Sequence, residues 1–186
     1  LTGPGSLVRS SAIGYVLLFV VSLGLGAWQD RLDDLFPRPA WPGTGIHIAI
    51  GLVLAAGVLS AGAAFRGTFG WARRLENEFR VLLGDVTPAG AFVMSVSSGI
   101  AEETFFRGIM QPAFGLVATS LFFGLLHFPM NRRMIPWTAI AVAMGFLLGA
   151  VYEETGSLLA VALAHATINF VEFMTLGRAD PSLNSE

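Results

Sequence analysis

Long apolar runs, broken by short clusters of proline, glycine and charge, fill most of this chain. Six of them approach the roughly 20 residues that a membrane-crossing helix needs. They cover about 7–28, 45–65, 88–112, 115–130, 134–152 and 156–176. The fourth is short and the third carries charge. Turn chemistry is dense between them: Pro37, Pro39, Pro42 and Gly43, then Thr87-Pro88, then Pro129 and Asn131, then Glu153 to Gly156. Between the second and third runs the pattern changes. Trp71, Leu75, Phe79 and Leu82 recur at helical spacing, while Arg73, Arg74, Glu76, Asn77 and Arg80 occupy the other faces. This predicts an amphipathic helix over about 70–84, lying in the headgroup plane where tryptophan and basic residues are well accommodated. The expected fold class is all-α: a polytopic transmembrane helix bundle of about six spans plus one interfacial helix. It reads as a single domain over residues 1–186, with its chemistry in 88–176.

Composition supports lipid as the solvent. Of 186 residues, 54% are hydrophobic and only 13% charged, against about 25% charged in soluble domains. The net charge of −2 offers no basic surface for nucleic acid. The chain has no cysteine, which excludes disulfides, thiolate metal sites and a cysteine nucleophile. The first apolar run has no Ala-x-Ala site after it and more spans follow, so it reads as an anchor; Gly3-Pro4-Gly5-Ser6 before it is given no structural weight. With the N-terminus inside, Arg9, Arg66, Arg73, Arg74, Arg80, Arg132, Arg133 and Arg178 fall on the cytoplasmic side and only Arg31 and Arg38 opposite. The bias places both termini in the cytoplasm.

The third run is where the pattern breaks its own rule. Glu102, Glu103 and Arg107 sit in an otherwise apolar helix, and each such charge at mid-bilayer costs roughly 2.5–3.5 kcal/mol. Glu103 and Arg107 are four apart and can pair on one face. Glu102 points about 100° away and has no local partner, so its partners must come from other spans. Two histidines are candidates: His127, late in the fourth run, and His165, in the middle of the sixth, with Asn169 one turn further on the same face. At a rise of about 1.5 Å per residue, Glu102, His127 and His165 lie about 15, 18 and 14 Å from the outer ends of their runs, in one layer. His47 starts the second run without a polar neighbour at helical spacing and reads as interfacial.

A carboxylate, two imidazoles and an amide at one buried level suit peptide hydrolysis. The carboxylate can take a proton from water, an imidazole can orient that water or pass the proton on, and the second imidazole and the amide can donate to an oxyanion. Ser95, Ser97, Ser98 and Ser120 have no histidine at local spacing and read as packing residues. Two histidines and a glutamate also form a known first shell for catalytic zinc, so Glu102, His127 and His165 could hold a metal with Glu103 as base. The chain lacks His-Glu-x-x-His, and a metal-free glutamate mechanism, without cofactor, is the preferred expectation.

These residues resemble the CPBP family, the CAAX protease and bacteriocin-processing proteins also called Abi. Its pattern is Glu-Glu-x-x-x-Arg, then Phe-x-x-x-His, then His-x-x-x-Asn or Asp. Here stand Glu102-Glu103-Thr-Phe-Phe-Arg107, Phe123-Gly-Leu-Leu-His127 and His165-Ala-Thr-Ile-Asn169, in that order, with Tyr152 to Leu158 similar to the family's lead-in. The resemblance covers about 101–170. It implies an intramembrane endopeptidase of the glutamic type, with Glu102 as water-activating base, His127 as its partner, His165 and Asn169 at the oxyanion, and Glu103 with Arg107 as a supporting pair. Eukaryotic relatives cut prenylated CAAX proteins; bacterial ones are linked to peptide or bacteriocin maturation, self-immunity and trimming of membrane-anchored tails. The all-arginine basic set and the short six-run length suggest a bacterial inner-membrane protein and a membrane-associated protein or peptide substrate without a prenyl group. The alternatives are a zinc-dependent protease on the same residues, a non-catalytic immunity or scaffold protein, and a proton or ion relay. Gly145 and Gly149, four apart, suit close helix packing, more simply within the bundle than between copies.

Overall fold

A computed structural model describes residues 4–35, 43–129 and 131–177. Pro37, Arg38, Pro39, Pro42 and Arg178 of the sequence reading lie outside them. Among the described residues there is no strand, and the helices are α1 (Pro4–Trp28), α2 (Leu32–Leu35), α3 (Thr44–Thr68), α4 (Gly70–Leu83), α5 (Pro88–Glu103), α6 (Gln111–Leu126), α7 (Ile135–Thr155) and α8 (Leu158–Leu176), with a π-helical turn, Thr104–Met110, between α5 and α6. The all-helical expectation holds. Helix α1 begins at Pro4, inside the stretch given no structural weight, and the short α2 is an addition to the expected elements.

Among the described residues, five helical stretches are long and apolar enough to cross a membrane, so the chain is an integral membrane protein. The third, Pro88–Leu126, combines two of the runs expected from the sequence. It is not one rod. If it were, residues 102 and 127 would lie about 37 Å apart at 1.5 Å per residue; their side chains instead stand 3.9 Å apart. The reversal occurs at Gly115, whose φ of 80° and ψ of 166° no side chain tolerates well. The short fourth run is the returning arm of this hairpin.

The π-turn has a local cause. Pro112 has no N–H to donate and its ring presses on the preceding turn. The adjacent Gln111 N–H bonds five residues back to the Phe106 carbonyl, which widens the helix just beyond the two glutamates. Such bulges recur at functional sites.

Helix α8 is the centre of the bundle, with α3 on one side and α5 on the other. Both contacts are backbone-close. A Cβ on Gly51 would meet the Ala160 carbonyl at 2.6 Å, and one on Gly99 would meet the Ala162 carbonyl and the Ala166 Cβ, each at 2.9 Å. The α5–α8 pair is antiparallel: Ser98 meets Asn169 while Glu103 meets His165. This close approach brings the two charged motifs together. Gly99→Leu is therefore expected to cost about 1–3 kcal/mol through overpacking and to move Glu102 and Glu103 away from α8. A thermal melt in detergent micelles would show the loss.

Helices α6 and α7 pack through Gly145, whose Cβ would meet Ser120 at 3.0–3.1 Å, and Gly149, which faces Gln111 and Leu116. Both glycines are internal contacts, as expected. Helix α4 is amphipathic as predicted, burying Ala72 and Leu75. Its Glu78 pairs with Arg133 and accepts from Asn131, and its Glu76 pairs with Arg80 and stands 3.9 Å from Arg66. Arg66 also pairs with Glu172 at 3.0 Å, which ties α8 to α3.

Candidate active site

Several segments deliver polar groups to a common point. Helix α5 ends on Glu102 and Glu103, both buried, and the π-turn adds the fully buried Arg107. Arg107 Nε lies 3.1 Å from Glu103 Oε2, and its Nη2 donates to the Gly145 carbonyl of α7 at 3.2 Å. The local pair read from the four-residue spacing is thus a buried ion pair, and one that also ties α5 to α7. The second oxygen of Glu103 accepts from His165 Nδ1 at 2.7 Å. A carboxylate can only accept, so this bond fixes the proton on Nδ1 and leaves Nε2 facing Glu102.

His127 caps the end of α6 and is fixed the same way. Its Nδ1 lies 2.7 Å from the Phe123 carbonyl, which also only accepts. Its ring stacks near Phe123 at 4.4 Å and stands edge-on to Trp137 at 6.0 Å; Trp137 in turn meets Phe79 of α4. Two imidazoles therefore present Nε2 to Glu102 Oε2, at 3.9 Å from His127 and 4.0 Å from His165. Oε2 is buried with no hydrogen-bond partner. These gaps match a water molecule making two bonds of about 2.8 Å near a right angle.

A tetrahedral zinc ion fits less well. Bonds of about 2 Å place neighbouring donors roughly 3.3 Å apart, closer than these groups stand. Among the described residues, no group of three or more His, Cys, Asp or Glu side chains is arranged to hold a metal ion.

Asn169 lies on the same helix as His165, one turn along, and its Nδ2 donates to Ser98 Oγ at 2.9 Å. One amide N–H is thereby committed and the other remains. Ser95, Ser97 and Ser98 donate back to carbonyls of their own helix, in keeping with a packing role. His47, near the start of α3, is buried against the rest of the bundle, and its Nδ1 has no hydrogen-bond partner. An apolar run gave no sign that α3 would turn this position into the bundle.

A cavity of about 280 Å³ opens onto Glu102 and His127, walled by Tyr15 and Leu18 of α1 together with Phe105 and Leu126. A larger depression of about 360 Å³ between α3 and α7 is lined by Ala49, Ile50, Val53, Leu54 and Val151, and has no side chain able to do chemistry. Tyr15 was not foreseen. Its one available signal was a phenol in an otherwise apolar first span.

Residues 85–171 match the model of a family described as type II CAAX prenyl endopeptidase Rce1-like. The uncharacterized protein YpbD of Bacillus subtilis (strain 168) is 42% identical over 73 residues, 38% of this chain and 37% of that protein. The match thus spans little more than a third of that relative's length. No solved structure matches the chain.

Proposed function

We propose, on the strength of the match of residues 85–171 to the Rce1-like family, that this chain belongs to the CPBP family and is an intramembrane endopeptidase of the glutamic type. Its substrate on this reading is a membrane-associated protein or peptide. The observation that carries the reading is a buried carboxylate oxygen without a hydrogen bond, standing about one water molecule from two imidazole nitrogens whose other nitrogens are already committed.

The chemistry follows from those commitments. Water in the gap donates a proton to Glu102 and attacks the scissile carbonyl as hydroxide. His127 Nε2 takes the proton from Glu102 and delivers it to the leaving amine, so that each proton removed is returned. His165, when it carries a proton on Nε2 as well, donates to the oxyanion, and the Glu103 carboxylate at Nδ1 is the counter-ion for that ring. The second N–H of Asn169 is the other oxyanion donor. Glu103 and Arg107 hold His165 in orientation and take no part in proton transfer. The apolar walls of the cavity exclude bulk water and suit a lipid-borne substrate.

The test compares the membrane proteomes of cells carrying the wild-type protein and its Glu102→Gln variant. A chain that accumulates uncut only with the variant is the substrate. The purified protein, reconstituted with that chain, is then stripped of metal. Cleavage that survives metal removal upholds the glutamate mechanism. Cleavage that disappears and returns with zinc alone moves Glu102, His127 and His165 into a metal shell. A scaffold or immunity protein would keep its phenotype in the variant.

A further inference from the structure

Helix α1 lies outside the segment 85–171 matched by the family, yet it contributes to the site. It runs parallel to α5 and packs along one stripe. Val8 meets Gly90 near the start of both helices, Ser22 is fully buried, and Gly26 sits under Leu35, which also covers Gly108 of the π-turn. Tyr15 is on that stripe, seven residues from Val8 and seven from Ser22, a spacing that keeps one face of a helix. Its ring forms part of the wall of the cavity onto which Glu102 opens, so the phenol and the carboxylate face the same space.

A bond between them would answer a mechanical need. Glu103 accepts from His165 on one oxygen and is ion-paired with Arg107 through the other. Glu102 has no such anchor on its own helix, and its Oε2 makes no hydrogen bond. A carboxylate free to turn about its last bond would present Oε2 to the imidazoles only part of the time. A phenol is well suited to hold it: at neutral pH it is a donor, it does not compete as a base, and it is carried on a rigid ring with few rotamers.

We propose that Tyr15 is a positioning residue, its phenol donating to the Glu102 carboxylate and fixing the rotation that turns Oε2 towards His127 and His165. The inference rests on the endopeptidase reading for its catalytic meaning, but the contact itself can be tested without a substrate. Infrared difference spectra of the protein in lipid nanodiscs assign to Glu102 the carboxyl band that vanishes in Glu102→Gln. Tyr15→Phe keeps the ring and loses the donor, and is expected to shift that band. Leu18→Ala, on the same wall and without a polar group, is expected to leave it in place. A Glu102 band unmoved in Tyr15→Phe overturns the proposal.

Kinetics with a membrane-anchored, quenched-fluorescence peptide provide the second readout. Tyr15→Phe is expected to lower kcat about 10- to 100-fold, the worth of one hydrogen bond to a charged group, with KM and melting temperature unchanged. Leu18→Ala is expected to change KM instead. A wild-type protein that leaves every membrane peptide intact removes the endopeptidase reading, and the infrared band then still decides whether Tyr15 holds Glu102. A wild-type protein that cleaves, beside a Tyr15→Phe variant of undiminished kcat, removes the role of Tyr15 alone.

Discussion

Glu102→Gln is expected to lower peptide cleavage by about 10²- to 10⁴-fold, the usual contribution of a general base, and to leave the fold intact. Glutamine has nearly the same shape, so packing around residue 102 is retained. Glutamine also keeps an oxygen able to accept from the Tyr15 phenol. Oε2 accepts no hydrogen bond, and the two imidazoles stand too far off for direct bonds. The amide cannot accept a proton from water, so the loss should fall on kcat while KM stays. Cleavage by purified variant and wild type, at equal amounts in vesicles, measures it directly. A variant cleaving at the wild-type rate would remove Glu102 from the chemistry.

Its neighbour should behave in the opposite way. Arg107→Met is expected to destabilise the protein by about 3–5 kcal/mol, because removing one member of a buried pair strands the other charge. Here the stranded group is Glu103, which has no exposure to solvent, and the same change releases the Gly145 carbonyl from Arg107. Glu103→Gln should also destabilise, and it loosens His165 as well. The double variant should lose less than the two single losses added together, since neither partner is then left alone. Unfolding free energies of the four proteins in one detergent close this cycle. Strict additivity would show that Glu103 and Arg107 act independently. The adjacent positions 102 and 103 thus separate chemistry from architecture: one variant should remain folded and inactive, the other should struggle to fold.

That division was partly legible in the chain. The four-residue spacing of Glu103 and Arg107 was enough to pair them, because a local helix geometry decides which side chains meet. The same geometry left Glu102 without a neighbour and sent the search to other spans. Counting rise per residue brought His127 and His165 to its level, and their rings do stand about 4 Å from it. Depth is additive along a helix, and so it survives errors of a few residues at the span ends.

Other features depend on contacts between segments distant in sequence. Nothing near Tyr15 resembles a motif; its significance comes from α1 lying parallel to α5 across a stripe of small residues. His47 has no polar residue near it in sequence, and only the packing of α3 shows that it is buried. Pro112 was visible, but the π-turn it accompanies was not, since a proline kink can be resolved in several ways.

Hydrophobic periodicity and the energetic penalty on intramembrane charge determined, from the sequence alone, that this chain is a helical membrane protein and which charged residues demanded an explanation. Both arguments are local, concerning how each short stretch interacts with lipid. Tertiary structure decided the rest: the reversal at Gly115, the fit of α8 between α3 and α5 at Gly51 and Gly99, and the orientation of each imidazole by Glu103 and the Phe123 carbonyl. The physical reason is that a proton acceptor is set by what stands opposite it to within an ångström, and that distance belongs to pairs of helices and not to either one.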